Sequence, residues 1–549
     1  MAIISQKQMN KVFLLSVLIS INTTFSQTNS HSNKSFVTDS IFQSYCNPNE
    51  PGMAIGIVQD GKVIYKNSKG MADLSNRLPI TSSTVFNIAS VSKQFTALLA
   101  LIAEQEGKFK LNDDIREYLP ELKNIPNKIT VKQLANHTHG LPNYSDLTAM
   151  MGFDLATPIR NEQAVETILG AKQVNFKAGT QYQYGNSGFM LLAEILKRVY
   201  EKPFPILLKE KIFEPLNMTQ TSVIDAPNII INDKAIAYRK NGDFYSEHMN
   251  RQMECGSSNI HTTLDDFIKW SVNFQIPKVG SSNQINHLTT KTVSISKDGD
   301  LGYGLGYFIE TYKGLKTVFH GGGTAGYRAY ILHVPDHNLS IVSLGNKEGF
   351  DGLLIIKDLL ELYLKDFLAK PNPVEVSYSP KELKEFEGVY KTQPGQYWTI
   401  KADDKNIYFG DDNTPLPLIS NDKFGFYLPT SYLTFHPNSI EFRIADFNYH
   451  YEKVEFNPPV LSKKELEKYV GIFKNEEFNT FYELLVIEDN LIAKHLTNGE
   501  ITLNPLSKNS FYAEYPLGEL NFQLNSKGKV NGFILSGTNL NNIKFIKVN

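Results

Sequence analysis

Residues Asn87–Lys108 read NIASVSKQFTALLALIAEQEGK. From Phe95 to Ala103 the stretch is almost continuously apolar, as expected of a helix buried on most sides. Its start is less ordinary. Ser90 has a plain explanation, because serine caps the free N–H groups of a helix. Lys93 does not, since the positive end of the helix dipole disfavours a cation in the first turn. A serine followed three residues later by a lysine puts both side chains on one helical face. Serine becomes a nucleophile only when a neighbour takes its proton, and a lysine within reach can do that or relay it. Alone, Ser-x-x-Lys is a weak signal in a chain of 549 residues.

Two further segments strengthen it. FKAGTQYQYGNSGFMLLAEIL (Phe176–Leu196) places Tyr184 two residues before Asn186 at a loop-to-helix junction. VFHGGGTAGYRAYILHVPDHNLSIVSLGN (Val318–Asn346) places His320-Gly-Gly at the end of one strand, before a hairpin. In that order and spacing, Ser-x-x-Lys, Tyr-x-Asn and His-x-Gly resemble the serine β-lactamase and penicillin-binding-protein superfamily. Class C β-lactamases, D-alanyl-D-alanine carboxypeptidases, D-aminopeptidases and related esterases are the nearer relatives. ITVKQLANHTHGLPNY, IFEPLNMTQT and GSSNIHTTLDDFIKW add family-like sequence between the motifs, and the resemblance runs from about Val37 to Asp366.

The resemblance implies roles. Ser90 attacks an acyl carbonyl, and Lys93 and Tyr184 handle its proton. Asn186 binds the substrate or the lysine, His320 and Gly322 line the substrate cleft, and the N–H groups of Ser90 and Gly323 form an oxyanion hole. A tyrosine base at neutral pH needs its pKa lowered from about 10 to near 7, equivalent to about 4 kcal/mol. A cation about 4 Å away contributes a similar amount at an effective dielectric of about 20. Lys93 meets that need as long as burial leaves it charged. The two residues titrate as a unit, so which one is the base stays open.

His320 stands where the well-known β-lactamases carry a lysine. A histidine with a pKa near 6.5 is mostly neutral at pH 7, which weakens recognition of a substrate carboxylate. The resemblance therefore implies a serine hydrolase of amides or esters, with D-amino-acid peptides or small esters as leading substrates, some of them cell-wall derived. β-Lactam hydrolysis and a non-catalytic peptidoglycan-binding role are the alternatives, and Gly185 is a departure from the serine often found between the tyrosine and asparagine.

Other features bound the reading. Lys+Arg of 55 against Asp+Glu of 57 leaves a net charge of -2, so no basic field exists to hold nucleic acid. Lys7 and Lys11 precede the apolar run Val12–Ile21, with Thr24 and Ser26 beyond it. That pattern predicts a signal peptide over 1–26 and an exported protein, periplasmic or secreted, with no membrane span after cleavage. Cys46 and Cys255 have no zinc-type spacing, and their pairing is left open. His137 and His139 find no further histidine at metal-ligand spacing, and no metal or other cofactor is expected. Gly321–Gly326 matches Gly-x-Gly-x-x-Gly without a following helix, which argues against a dinucleotide site.

The predicted fold is α+β. Strand signals flank Asp60-Gly61 and return at Tyr303–Glu310, Thr317–Phe319, Tyr327–Val334 and Leu339–Leu344, with helices between. This hydrolase domain is placed at 27–370. Beyond the linker-like Ala369–Pro373, SPKELKEFEGVYK (Ser379–Lys391) returns as SKKELEKYVGIFK (Ser462–Lys474) with six identities. The repeat predicts two all-β, barrel-like modules, at 371–458 and 459–549. Nothing in them names a partner, and oligomeric state is not legible.

Overall fold

The computed structural model describes residues 34–548, except 297–298, 370–377, 393–395, 411–414, 417, 421–422, 426–430, 437, 445–446 and 538. The predicted signal peptide and nearly all of the linker lie outside the described residues.

The region before the linker is built on an eight-stranded antiparallel sheet. Its strands are β1 (Met53–Gln59), β2 (Lys62–Lys69), β3 (Val293–Ser294), β4 (Leu301–Tyr303), β5 (Phe308–Tyr312), β6 (Leu315–Thr324), β7 (Tyr327–Val334) and β8 (Leu339–Gly345), in the order β3-β4-β5-β6-β7-β8-β1-β2. The two ends of the region thus meet where β1 pairs with β8. The β1–β2 turn has positive φ at both Asp60 and Gly61, the geometry that Asp-Gly favours in two-residue hairpins.

Period-two alternation explains why β1 is apolar from Met53 to Val58. Ala54 and Val58 join one buried cluster, whereas Met53, Ile55 and Ile57 join another on the opposite face. β8 splits likewise, with Val342 and Leu344 on one side and Leu339 and Ile341 on the other. A strand buried on both faces is mostly apolar on each, and each such apolar side chain contributes about 1.5–3 kcal/mol.

Six helices matter for the site: α1 (Ser92–Gln105), α2 (Val131–Ala135), α3 (Tyr144–Met150), α4 (Ser187–Tyr200), α5 (Leu264–Gln275) and α6 (Gly352–Leu364). α6 contributes Leu353, Ile356, Leu359 and Leu360 to the cluster under one sheet face. α1, α4 and α5 fill the other. α1 is buried almost all round, with Phe95 stacked on Trp270 at 4.0 Å and Gln94 accepting a hydrogen bond from the Trp270 indole. Truncating Phe95 would empty that contact.

Two expected strands differ. Tyr303–Glu310 is not one strand: it is β4 and β5, reversed through 304–307 with Gly306 at φ +76°. β6 does not stop at His320 but runs through three glycines to Thr324. Pairing with β7 holds that glycine run extended, against its own preference.

Each repeat opens on a helix start with a Ser/Glu capping box, Ser379 with Glu382 and Ser462 with Glu465. The first repeat forms an eight-stranded antiparallel sheet. The second closes into a barrel, where Gly471–Asn475 pairs with Leu540–Val548. Phe473, Phe522, Phe533 and Phe545 fill it, and Leu147 and Met150 of α3 belong to the same buried cluster. Cys46 and Cys255 are both buried and free, in different cores.

Candidate active site

The nucleophile candidate lies just before α1, in a short 3-10 turn, Ala89–Val91. Ala89 has a positive φ of 46°, a conformation costing a non-glycine residue about 1–2 kcal/mol. An Asn87 side chain that accepts from Ala89 N at 2.8 Å helps hold it. The strained turn delivers Ser90 into a cleft of about 760 Å³. Ser90 does not cap the helix, which has no side-chain cap.

Lys93 reaches back along α1. Its Nζ donates to Ser90 Oγ at 3.0 Å, to Asn186 Oδ1 at 2.9 Å and to the Ser257 carbonyl at 3.1 Å. The side chain is fully buried, and burial draws its pKa down to about 7 against the opposing charge of Glu254. This alters the expected electrostatics. Lys93 is not a permanent cation serving Tyr184, but a group that is itself part neutral at pH 7.

Asn186 ends the loop before α4. Lysine only donates, so the amide oxygen of Asn186 faces Lys93 and its nitrogen faces Glu254 Oε2, 2.5 Å away. Glu254 is buried, and burial pushes its carboxyl up to about 7 despite Lys93 and Asn186. Tyr184 lines the same cleft, its ring centroid 4.9 Å from Lys93 Nζ.

His320 is buried beside Tyr184, ring centroids 6.1 Å apart. Its Nδ1 lies 2.6 Å from the Gly321 carbonyl, which only accepts, so Nδ1 carries the proton. Nε2 then accepts from the Tyr303 hydroxyl at 3.0 Å. Burial, reinforced by Lys93, draws the imidazole down to about 3, so it is neutral. Both ring nitrogens are thus engaged within the protein.

Gly322 permits the close passage of β6 along the nucleophile turn. A methyl there would stand 2.3 Å from the Ile88 carbonyl oxygen and 3.1 Å from Ser90 N. Gly323 follows in the cleft wall. The structure therefore gathers Ser90, Lys93, Tyr184, Asn186, His320, Gly322 and Gly323 around one cleft.

Sequence reasoning missed Glu254 and Asn143. Glu254 sits two residues before the family-like stretch that begins at Gly256, and nothing about its neighbours marks it. Asn143 ends a quoted family-like stretch at its penultimate position, where its Oδ1 accepts from Asn186 N at 2.8 Å. On the far rim, Arg239 and His248 hold Glu348 at 2.5 and 3.1 Å. Tyr449, from the first C-terminal module, also lines the cleft. His137 and His139 are both buried: His139 Nδ1 accepts locally from Leu141 N, whereas His137 Nδ1 accepts from Gly185 N at 3.4 Å and its ring packs on Tyr184 at 4.4 Å.

A family model for Beta-lactamase matches residues 39–362, more than half of the chain. The chain belongs to the Beta-lactamase family. Within it, a D-aminopeptidase of Brucella anthropi is 32% identical over 302 residues, covering 54% of this chain and 56% of that relative. A D-aminopeptidase of Gluconobacter oxydans is 28% identical over 298 residues, with 54% and 56% covered. The chain thus spans a little over half the length of these curated relatives. Among solved structures, the octameric penicillin-binding protein homologue from Pyrococcus abyssi superposes with a TM-score of 0.55 at 20% identity, covering 94% of this chain and 99% of that one. A D-amino acid amidase from Ochrobactrum anthropi gives 0.52 at 19% identity, with 61% and 99% covered. These two likenesses establish the fold alone.

Proposed function

We propose that this family member is a serine hydrolase that cleaves amide or ester bonds through an acyl-enzyme on Ser90, with D-amino-acid peptides, amides and small esters as its substrates. The observation that carries the reading is the buried Lys93 amine, 3.0 Å from Ser90 Oγ, with its pKa drawn down to about 7. A lysine in that state is a competent base at neutral pH, which an exposed one is not.

The chemistry follows from the residues. Ser90 Oγ adds to the acyl carbonyl as its proton passes to neutral Lys93, with the Tyr184 hydroxyl available to relay it. The N–H groups of Ser90 and Gly323 hold the developing oxyanion, a contribution typically worth a hundredfold or more per donor. The proton then goes to the leaving amine or alkoxide, and water hydrolyses the acyl-enzyme by the same route reversed. Asn186 and Glu254 keep the lysine in place. A neutral His320 offers no charge to a substrate carboxylate, which favours amides and esters over penicillins. The D-aminopeptidase relatives support the D-amino-acid preference, and the apolar run Val12–Ile21 supports export.

Intact-mass spectrometry after fluorophosphonate treatment tests the nucleophile: one adduct on the wild type and none on Ser90→Ala is expected. No adduct on folded protein would refute the catalytic reading. A panel of D-alanyl amides, L-alanyl amides, short esters and penicillins then tests the substrate class. Penicillin turnover far above that of D-alanyl amides and esters would overturn the ordering.

A further inference from the structure

α3 is a seven-residue helix, too short to hold itself in water. The second C-terminal module grips it at both ends. At its C-terminus, where helix carbonyls lack partners, Tyr482 Oη donates to the Met150 carbonyl at 2.8 Å and Asn498 Nδ2 to the Ala149 carbonyl at 2.9 Å. Between the ends, Leu147 and Met150 are buried in the barrel's own cluster.

At its N-terminus the contacts converge on Asp146, a buried carboxylate with no ion-pair partner among the described residues. Its Oδ2 accepts from Asn143 Nδ2 at 2.6 Å and from Asn539 Nδ2, on the barrel, at 3.0 Å. The Asn539 carbonyl accepts from Asn143 N at 3.3 Å and from Asn175 Nδ2 at 2.8 Å. Asn541 N donates to Asn175 Oδ1 at 2.8 Å.

Both intermediaries lead to the candidate catalytic loop. Asn143 Oδ1 accepts from the Asn186 N–H, and Asn175 Nδ2 also donates to Gln183 Oε1 at 2.6 Å. Asn539 therefore reaches each flank of Tyr184-Gly185-Asn186 through one residue. A cleft wall built only from the hydrolase domain would need no such link, and a polymer-binding module would leave this turn facing solvent.

We propose that the barrel is a positioning element of the active site, and that Asn539, acting through Asp146 and Asn143, fixes the loop that carries Tyr184 and Asn186. Its catalytic consequence rests on the serine-hydrolase reading above. Its structural part does not, because the loop's order is measurable without turnover. Asn186 in turn sets the place of the Lys93 amine. A displacement of about 1 Å at such a remove lowers a rate on the order of a hundredfold.

The test uses the full chain in two variants, Asn539→Ala and Asn539→Asp. The first removes the Asn539 amide that donates to Asp146, and the second sets two carboxylates against each other. Two quantities are read: hydrogen exchange of the peptide spanning 183–188, and the second-order rate of Ser90 modification by a fluorophosphonate. Faster exchange at 183–188 and at least about a tenfold slower modification are expected in both variants, with exchange inside the barrel unchanged. Unchanged exchange at 183–188 in both variants, or Ser90 modification as fast as in the wild type, would overturn the proposal. Should Asn539→Asp loosen the barrel itself, Asn539→Ala, which adds no charge, decides with the same two outcomes. A wild type that takes no probe would instead defeat the hydrolase reading, and the exchange data would still decide the coupling.

Discussion

Lys93 and Glu254 share one buried site yet exchange no direct hydrogen bond, because the Asn186 amide stands between them, 2.9 Å from the amine and 2.5 Å from the carboxylate. The arrangement keeps a counter-charge near the lysine without locking it as an ammonium. A direct pair would hold Lys93 protonated and useless as a base. The spacer leaves it near neutrality.

A pH dependence follows, with a definite sign. Lys93 takes a proton only when neutral, so modification and turnover should rise with pH through about 7. The Glu254 anion favours the protonated lysine and so raises that midpoint. Removing the anion must move the rising limb to lower pH. In Glu254→Gln the amide oxygen still accepts from Asn186, so the plateau rate is expected to stay within severalfold of wild type while the midpoint shifts down. An unshifted or upward-shifted midpoint in the kcat/KM profile would contradict the assignment of that limb to Lys93.

His320 provides a second pH test. Burial draws it to about 3, so nothing near pH 6.5 should titrate on its account. For substrates with a free carboxylate, KM should stay level between pH 5.5 and 7.5. A KM that falls as pH drops through 6.5 would mean that the imidazole gains a charge and binds the carboxylate.

Gly185 makes room for Asn143. A methyl at 185 would stand 3.0 Å from Asn143 Oδ1, the atom that accepts from Asn186 N. Gly185→Ser should push Asn143 aside and lower kcat/KM by about tenfold with little loss of stability. Wild-type kinetics in that variant would show that the loop absorbs the change.

Glu310 of β5 ties the hydrolase region to the first C-terminal module. Arg443 approaches it at 2.7 Å and Lys357 of α6 at 3.5 Å, with Glu310 and Arg443 both buried. Burial pushes the carboxyl up, but the Lys357 and Arg443 charges outweigh it and hold it below its ordinary value. A carboxyl with a lowered folded pKa stabilises fully above its unfolded pKa and loses that contribution as pH falls through the folded one. Arg443→Met should therefore cost about 3 kcal/mol at pH 7, and the gap to wild type should close below pH 4. Equal denaturation midpoints at pH 7 would show the pair to be neutral.

Much of this was legible in the residues. Ser90, Lys93, Tyr184 and Asn186 are marked by local spacing, and β1 and β8 by apolar runs that only a doubly buried strand requires. β6 was cut short because Gly321–Gly323 have poor intrinsic strand preference, and pairing with β7 decides the matter. Glu254 and Asp146 carry no local pattern. Their roles arise from burial and from partners dozens to hundreds of positions away. Lys93 shows the same limit, since its position is readable but its pKa depends on walls drawn from several segments.

The contact between Asp146 and Asn539 joins residues 393 positions apart. Asn539 is added to the growing chain 393 residues after Asp146, so their contact forms only after the whole hydrolase region has been synthesised. On the positioning proposed above, the loop that carries Tyr184 and Asn186 takes its final place only when the last strand of the barrel has been laid down.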